Sequence, residues 1–179
     1  FQAEDGIRDF CLSRGLGDVY KRQLMNAMAV RDALERKNIS TQLMSSVPMT
    51  GVVEPYDRRK AMKYLKQGEV VLFAGGTGNP LFTTDSAACL RGIEIGADIV
   101  LKATKVDGVY TADPFIDKSA KKYGSISYKE VIDKELKVMD LTAITLCKEN
   151  NLPIGVLRII NENSLINFLA GESIGTTIF

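Results

Sequence analysis

Histidine and tryptophan are both absent from the 179 residues. Without imidazole, catalytic triads, histidine general bases and His-ligated metal centres are excluded, so any chemistry must run on carboxylates, lysines, hydroxyls and backbone groups. Cysteine is scarce: Cys11, Cys89 and Cys147 are odd in number and widely spaced. That argues against a disulfide framework or a CxxC redox or zinc site and points to a reducing, cytoplasmic compartment. Neither charge sign dominates, with 23 basic and 22 acidic residues, so no field advertises nucleic acid or an anionic membrane surface. No apolar run approaches the roughly 18 residues of a membrane span. The 45% hydrophobic content is enough for one sizeable core, and small-molecule chemistry fits this composition best.

What the chain does contain is a segment, VVLFAGGTGNPLFTTDSAA from Val70 to Ala88, in which an apolar strand runs into a glycine-hydroxyl loop and then opens a helix. Gly75, Gly76 and Gly78 let backbone amides approach a ligand, while Thr77, Thr83, Thr84 and the helix starting near Asp85 add donors and positive dipole. A phosphate suits such a site. The loop has neither the Lys-Ser/Thr ending of a Walker A motif nor a complete GxGxxG fingerprint. A glycine turn capped by Thr84 or Asp85 accounts for the same residues.

Patterning along the rest of the chain gives alternating helices and strands. Leu24 to Lys37 has helical spacing, Thr41 to Met44 reads as a short strand, and Pro48 to Pro55 as a loop. Arg58 to Gln67 reads as a helix with Ala61, Met62 and Leu65 inward and Lys60, Lys63 and Lys66 outward. Gly68 ends it, and Glu69 to Ala74 has the continuous apolarity of a strand buried on both faces. Helix Asp85 to Ile95 stops at Gly96, strand Ile99 to Ala103 follows, and helices are expected near Tyr128 to Lys134 and Asp140 to Asn150. Strand Pro153 to Leu157, helix Ser164 to Ala170 and strand Thr176 to Phe179 complete the series, with Asp113 to Ser127 the one loose connection. This order implies an α/β fold with a mostly parallel sheet covered by helices on both sides, its binding loops beyond the strands' carboxyl ends.

The residues GTGNPLFTTDSAACLRGIEIGADIVLKATKVDGVYTADP, Gly76 to Pro114, together with KELKVMDLTA, Lys134 to Ala143, and LMNAMAVRDAL, Leu24 to Leu34, resemble the bacterial uridylate (UMP) kinases of the amino acid kinase family. VDGVYTADP resembles the nucleotide segment of several sister kinases, including those for aspartate and glutamate, whereas GTGNPLFTT is similar to the UMP enzymes in particular. The resemblance implies transfer of the γ-phosphoryl group of MgATP to UMP in a cytoplasmic homo-oligomer, a hexamer in similar enzymes. It implies UMP contacts from Thr77, Gly78, Asn79, Pro80, Leu81, Phe82, Thr83 and Thr84, and ATP contacts from Thr104, Tyr110 and Asp113. Asp85, Lys137 and Asp140 take the catalytic positions by the same resemblance, with Mg²⁺ as cofactor and no resident metal.

From the residues alone, Asp140 is equally a helix cap, Tyr110 equally a core aromatic, and Arg31-Asp32 an exposed charge pair. Two departures accompany the likeness. The family's Lys-Leu-Ser-Gly-type and Gly-Gly-Gly-Asn loops have no counterpart here, and FQAEDGIRDFCLSRGLGDVYKRQ, Phe1 to Gln23, resembles a translated adapter sequence. Its Gly15 and Gly17 are expected to interrupt any helix, and Glu4, Asp5 and Asp9 rule out a signal peptide. The expectation is therefore a kinase domain over 24–179, lacking its N-terminal part and preceded by a non-native leader. The competing expectations are a catalytically inactive nucleotide-binding fragment and a sister kinase acting on a carboxylate.

Overall fold

A computed structural model describes residues 8–49, 51–159, 163–172 and 174–179, with side chains described from Tyr20 onward. Glu4 and Asp5 of the signal-peptide argument lie outside them. The chain divides into two compact units, Phe1–Phe82 and Thr83–Phe179.

In the first unit, helix α1 runs from Arg8 to Glu35. This corrects the expected start at Leu24 and the expected break at Gly15 and Gly17. Each interior glycine costs about 1 kcal/mol against alanine, whereas propagation gains a backbone hydrogen bond per residue, so two glycines do not stop an established helix. Leu24, Ala27 and Met28 lie against Leu43, Leu72 and Ala74 of the sheet below. Arg31 pairs with Asp32 and Glu35 on the outer face, as expected of surface charges.

The sheet below it is three parallel strands in the order β2-β1-β3, with β1 at Thr41–Ser45, β2 at Glu54–Pro55 and β3 at Val70–Ala74. β2 falls where a loop was expected, because two residues are too few to show a strand period. β3 is not buried on both faces: Ala74 alone is fully covered and Val70 is exposed. Helix α2, Arg58–Lys66, starts at the Asp57 cap, whose side chain accepts from the Lys60 amide. Its inner face is Ala61, one turn from the half-buried Tyr64, and Leu65 points outward, contrary to the expected pattern. The Tyr64 hydroxyl donates to Glu54 at 3.2 Å.

The second unit contains α3 (Thr84–Ile95), β4 (Val100–Ala103), β5 (Ser125–Ile126), α4 (Tyr128–Asp133), α5 (Leu141–Glu149), β6 (Ile154–Leu157), α6 (Ser164–Leu169) and β7 (Thr176–Ile178). Its sheet has the order β4-β6-β7-β5, with β4 and β6 parallel, β5 and β7 parallel, and β6 and β7 antiparallel. The α/β class and the mostly parallel pairing match expectation. The strands nevertheless form two sheets rather than one, β5 was not foreseen, and one pairing is antiparallel. β6 is an interior strand, buried at all four residues, which is why its sequence reads as uninterrupted apolarity.

Helices α3 and α5 bring Cys89 and Cys147 into one core with Ile144, Ile154, Val156 and Ile178. Both cysteines are free and fully buried. The Cys147 side chain beside it, and then burial, push the Cys89 thiol above its ordinary range, while the Cys89 bond lowers Cys147; complete burial makes both sulfurs small apolar packing groups of this core. Among the described residues no helix is long and apolar enough to cross a membrane.

Candidate functional site

The glycine loop begins where β3 ends. Gly75 has φ +78°, in the left-handed region, and a Cβ there would lie 3.0 Å from Ser45 Oγ and 3.1 Å from the Val47 nitrogen. No other residue fits both restraints. Downstream, the Ser46 hydroxyl donates to the Gly76 carbonyl at 2.7 Å, Thr77 Oγ1 accepts from the Asn79 amide at 3.0 Å, and Asn79 Oδ1 accepts from the Leu81 amide at 3.0 Å. With Gly78 N–H on the Gly75 carbonyl and Phe82 N–H on that of Asn79, four loop amides are satisfied internally. The loop is thus largely self-organised, and Gly78, Asn79, Pro80, Leu81 and Phe82 are exposed on it.

The second unit opens with Thr83, the N-cap of α3, whose hydroxyl oxygen accepts from the Ser86 amide at 3.2 Å. The cap is therefore neither Thr84 nor Asp85. Three adjacent residues were all competent to cap, and only Thr83 has the extended φ −76°, ψ 170° that a cap requires. Thr84 is exposed in the first turn. The helix ends on the expected Gly96.

Asp140 is both the N-cap of α5 and the acceptor that joins α3 to α5. Its Oδ1 accepts from the Ala143 amide at 2.9 Å and the Ser86 hydroxyl at 2.9 Å, and its Oδ2 accepts from the Thr83 hydroxyl. Burial alone would raise the Asp140 carboxyl. Donors from Thr83, Ala143, Ser86 and Thr142 outweigh it and hold the group below the usual carboxylate range.

Asp85 Oδ2 lies 2.6 Å from Lys102 Nζ, and the same ammonium donates to the Val138 carbonyl at 2.9 Å. Lys102 stands in β4 and was not among the residues selected from sequence. The available signal was a lysine inside the apolar run Ile99 to Ala103. Lys137 is exposed in the connector that precedes Asp140. The structure thus brings Thr83, Ser86 and Asp140 together, and links Asp85 through Lys102 to the connector carrying Lys137.

The three residues matched to the ATP positions lie at β4's carboxyl end and on the loop beyond it. Thr104 follows β4, its amide bonded to the Leu157 carbonyl at 3.0 Å. Tyr110 is half-buried and donates its hydroxyl to Asp107 at 2.6 Å, while Lys122 approaches the other Asp107 oxygen at 3.2 Å. The Tyr110 hydroxyl bond, aided by Lys122, holds Asp107 below its usual range against a raising effect of burial, and the same bond raises Tyr110. Asp113 Oδ1 accepts from the Phe115 amide at 2.9 Å and so starts a turn. Asp107, Lys122, Ser86 and Lys102 are the residues that sequence reasoning missed. Asp107 lies inside the VDGVYTADP motif, but only Tyr110 and Asp113 of that motif were selected.

One buried hydroxyl pins this loop to the sheet. Thr176, fully buried, accepts from the Val109 amide at 2.8 Å and donates to the Tyr123 carbonyl at 2.5 Å. Thr176→Val keeps the shape but strands a buried amide and a carbonyl, and is expected to cost about 2 kcal/mol. Urea unfolding measures that loss. An unchanged midpoint would mean that water replaces the hydroxyl.

Residues 20–158 match the model of the amino acid kinase family. The chain is 61% identical over 155 residues to the uridylate kinase of Ectopseudomonas mendocina (strain ymp), covering 87% of this chain and 63% of that protein. The crystal structure of UMP kinase from Bacillus anthracis is similar with a TM-score of 0.84 and 38% identity, covering 87% of this chain and 64% of that one. The UMP kinase structure from Ureaplasma parvum gives a TM-score of 0.83 and 34% identity, covering 87% and 67%. The chain therefore spans less than two thirds of the length of the curated relative.

Proposed function

The chain belongs to the amino acid kinase family, and we propose that within it the parent protein is a UMP kinase, transferring the γ-phosphoryl group of MgATP to UMP to give UDP and ADP. The observation that carries this reading is the 61% identity to a uridylate kinase over 155 residues, which includes the GTGNPLFTT loop; the Asp85–Lys102 pair at the start of α3, tied to the connector that bears Lys137 and ends in Asp140, is compatible with it. Phosphoryl transfer to a monophosphate needs no strong base, because the acceptor phosphate, with a second pKa of about 6, is already largely ionised near neutrality. What it needs is two anionic ligands held in line and positive charge at the transferred group. A chain without histidine is suited to that work.

Roles follow residue by residue. Thr77, Gly78, Asn79, Pro80, Leu81, Phe82, Thr83 and Thr84 form the UMP segment, and Thr104, Tyr110 and Asp113 the ATP segment. Lys137 supplies positive charge to phosphate, Asp85 orients cationic groups, and Asp140 fixes the start of α5. No group of three or more Cys, Asp or Glu side chains able to hold a metal occurs among the described residues. In this reading Mg²⁺ would be carried on the ATP phosphates, with water and one or two carboxylates, Asp85 and Asp140, completing its shell. Bound Mg²⁺ neutralises the charge that spreads over the transferred group. Residues 24–179 constitute the kinase domain in this reading, 1–23 a non-native leader, the compartment the cytoplasm and the assembly a homo-oligomer.

The test is UDP formation from UMP and ATP, comparing the 179-residue chain with a length-restored form carrying a uridylate kinase N-terminal segment before Leu24. UDP from the restored form is expected. A folded restored form that ignores UMP but phosphorylates aspartate or glutamate would replace this reading by the sister-kinase one. Activity in the restored form alone would make the 179-residue chain an inactive fragment.

A further inference from the structure

Lys102 is the one charged residue of β4, a strand whose partner β6 is buried throughout. Packing does not require a lysine there, and a partly exposed ion pair contributes little to stability. Its two bonds run to sequence-distant segments. Nζ meets Asp85 Oδ2 at 2.6 Å, 17 residues upstream and in the first turn of α3, and the Val138 carbonyl at 2.9 Å, 36 residues downstream. Val138 stands one residue after Lys137 and two before Asp140. The paired side chains are 25% and 27% exposed, covered enough to hold a fixed geometry yet open on one side.

We infer that Lys102 is a positioning residue for phosphoryl transfer, holding the Asp85 carboxylate in register with the connector that carries Lys137 and Asp140. This rests on the transferase reading above. An ammonium suits the role because its separate donors serve a carboxylate and a carbonyl at once. Displacements of about 1 Å in groups that align reactants are enough for losses of about 100-fold. The effect of Lys102 passes through Asp85 and the connector.

The experiment is a kinetic double-mutant cycle in the length-restored enzyme. Lys102→Met is expected to lower kcat at least about tenfold with KM for UMP and ATP within about threefold, and Lys102→Arg, which keeps charge and donors, to stay within about fivefold of the parent. In an Asp85→Asn background the Lys102→Met change is expected to cost no more than about a further twofold, since a residue acting through Asp85 has little left to lose. Full additivity, or a Lys102→Met enzyme with unaltered kcat, overturns the inference and leaves the UMP kinase reading intact. A restored enzyme with native Lys102 that phosphorylates no acceptor removes the reading, and the inference with it.

Discussion

Asp85→Asn in the length-restored enzyme is expected to lower kcat by about 100-fold, with KM for UMP and ATP changed far less. The substitution is nearly isosteric, and the amide oxygen still accepts from Lys102, so the fold and the 2.6 Å contact have a replacement. What disappears is the negative charge. Lys102 then carries an uncompensated ammonium beside the start of α3, and the groups that Asp85 orients lose their electrostatic anchor. A loss confined to kcat would identify an interaction realised in the transition state. Undiminished turnover would reject the role of Asp85 and reduce it to a first-turn acidic residue favoured by the helix dipole.

Asp140→Ala is expected to destabilise the second unit by about 3 kcal/mol. The N-cap of α5 accounts for about 1 kcal/mol. The remainder comes from Ser86, a buried residue whose hydroxyl loses its acceptor at 2.9 Å. For a urea slope of about 2 kcal/mol/M the midpoint falls by roughly 1.5 M. Asp140→Asn keeps one acceptor oxygen and a competent cap, so its loss should be about 1 kcal/mol, and it guards against the alanine variant failing to fold. The acid limb supplies a second measurement. Because the folded-state carboxyl is held low, its contribution is fully present above the unfolded value of about 3.9 and is lost as pH falls through the lower folded value. The gap between parent and Asp140→Asn should therefore close below about pH 4. A gap independent of pH would mean that charge on Asp140 is irrelevant to its hydrogen bonds.

Much of the framework was legible because its signals are local. β1, β6 and α3 with its Gly96 stop lie close to where periodicity and turn chemistry put them, and Asp140 caps α5 as its position before an apolar run suggested. Short or compensated features were not legible. β5 is two residues long, and α1 runs through Gly15 and Gly17 because cooperativity outweighs their propensity. Leu65 faces outward because the turn places Ala61 and Tyr64 over the sheet instead. At the site, the resemblance selected Asp85 and Asp140 but not their partners. Lys102 and Ser86 carry no motif of their own, and their relevance lies in contacts across 17 and 54 residues.

By itself the sequence determined the chemical vocabulary: no imidazole, a glycine-hydroxyl loop after an apolar strand, and carboxylates and lysines near helix starts. It also determined family membership, since a run such as GTGNPLFTTDSAA is a property of residue order. Tertiary structure decided the pairings. It chose Thr83 over Thr84 and Asp85 as the cap, made Asp140 the joint between two helices, and spent Lys102 on Asp85 and Val138. The physical reason is range. Propensity, capping and turn chemistry act over a few residues, whereas an ion pair or a buried hydroxyl bond forms between whichever side chains the packed sheet and helices bring within about 3 Å.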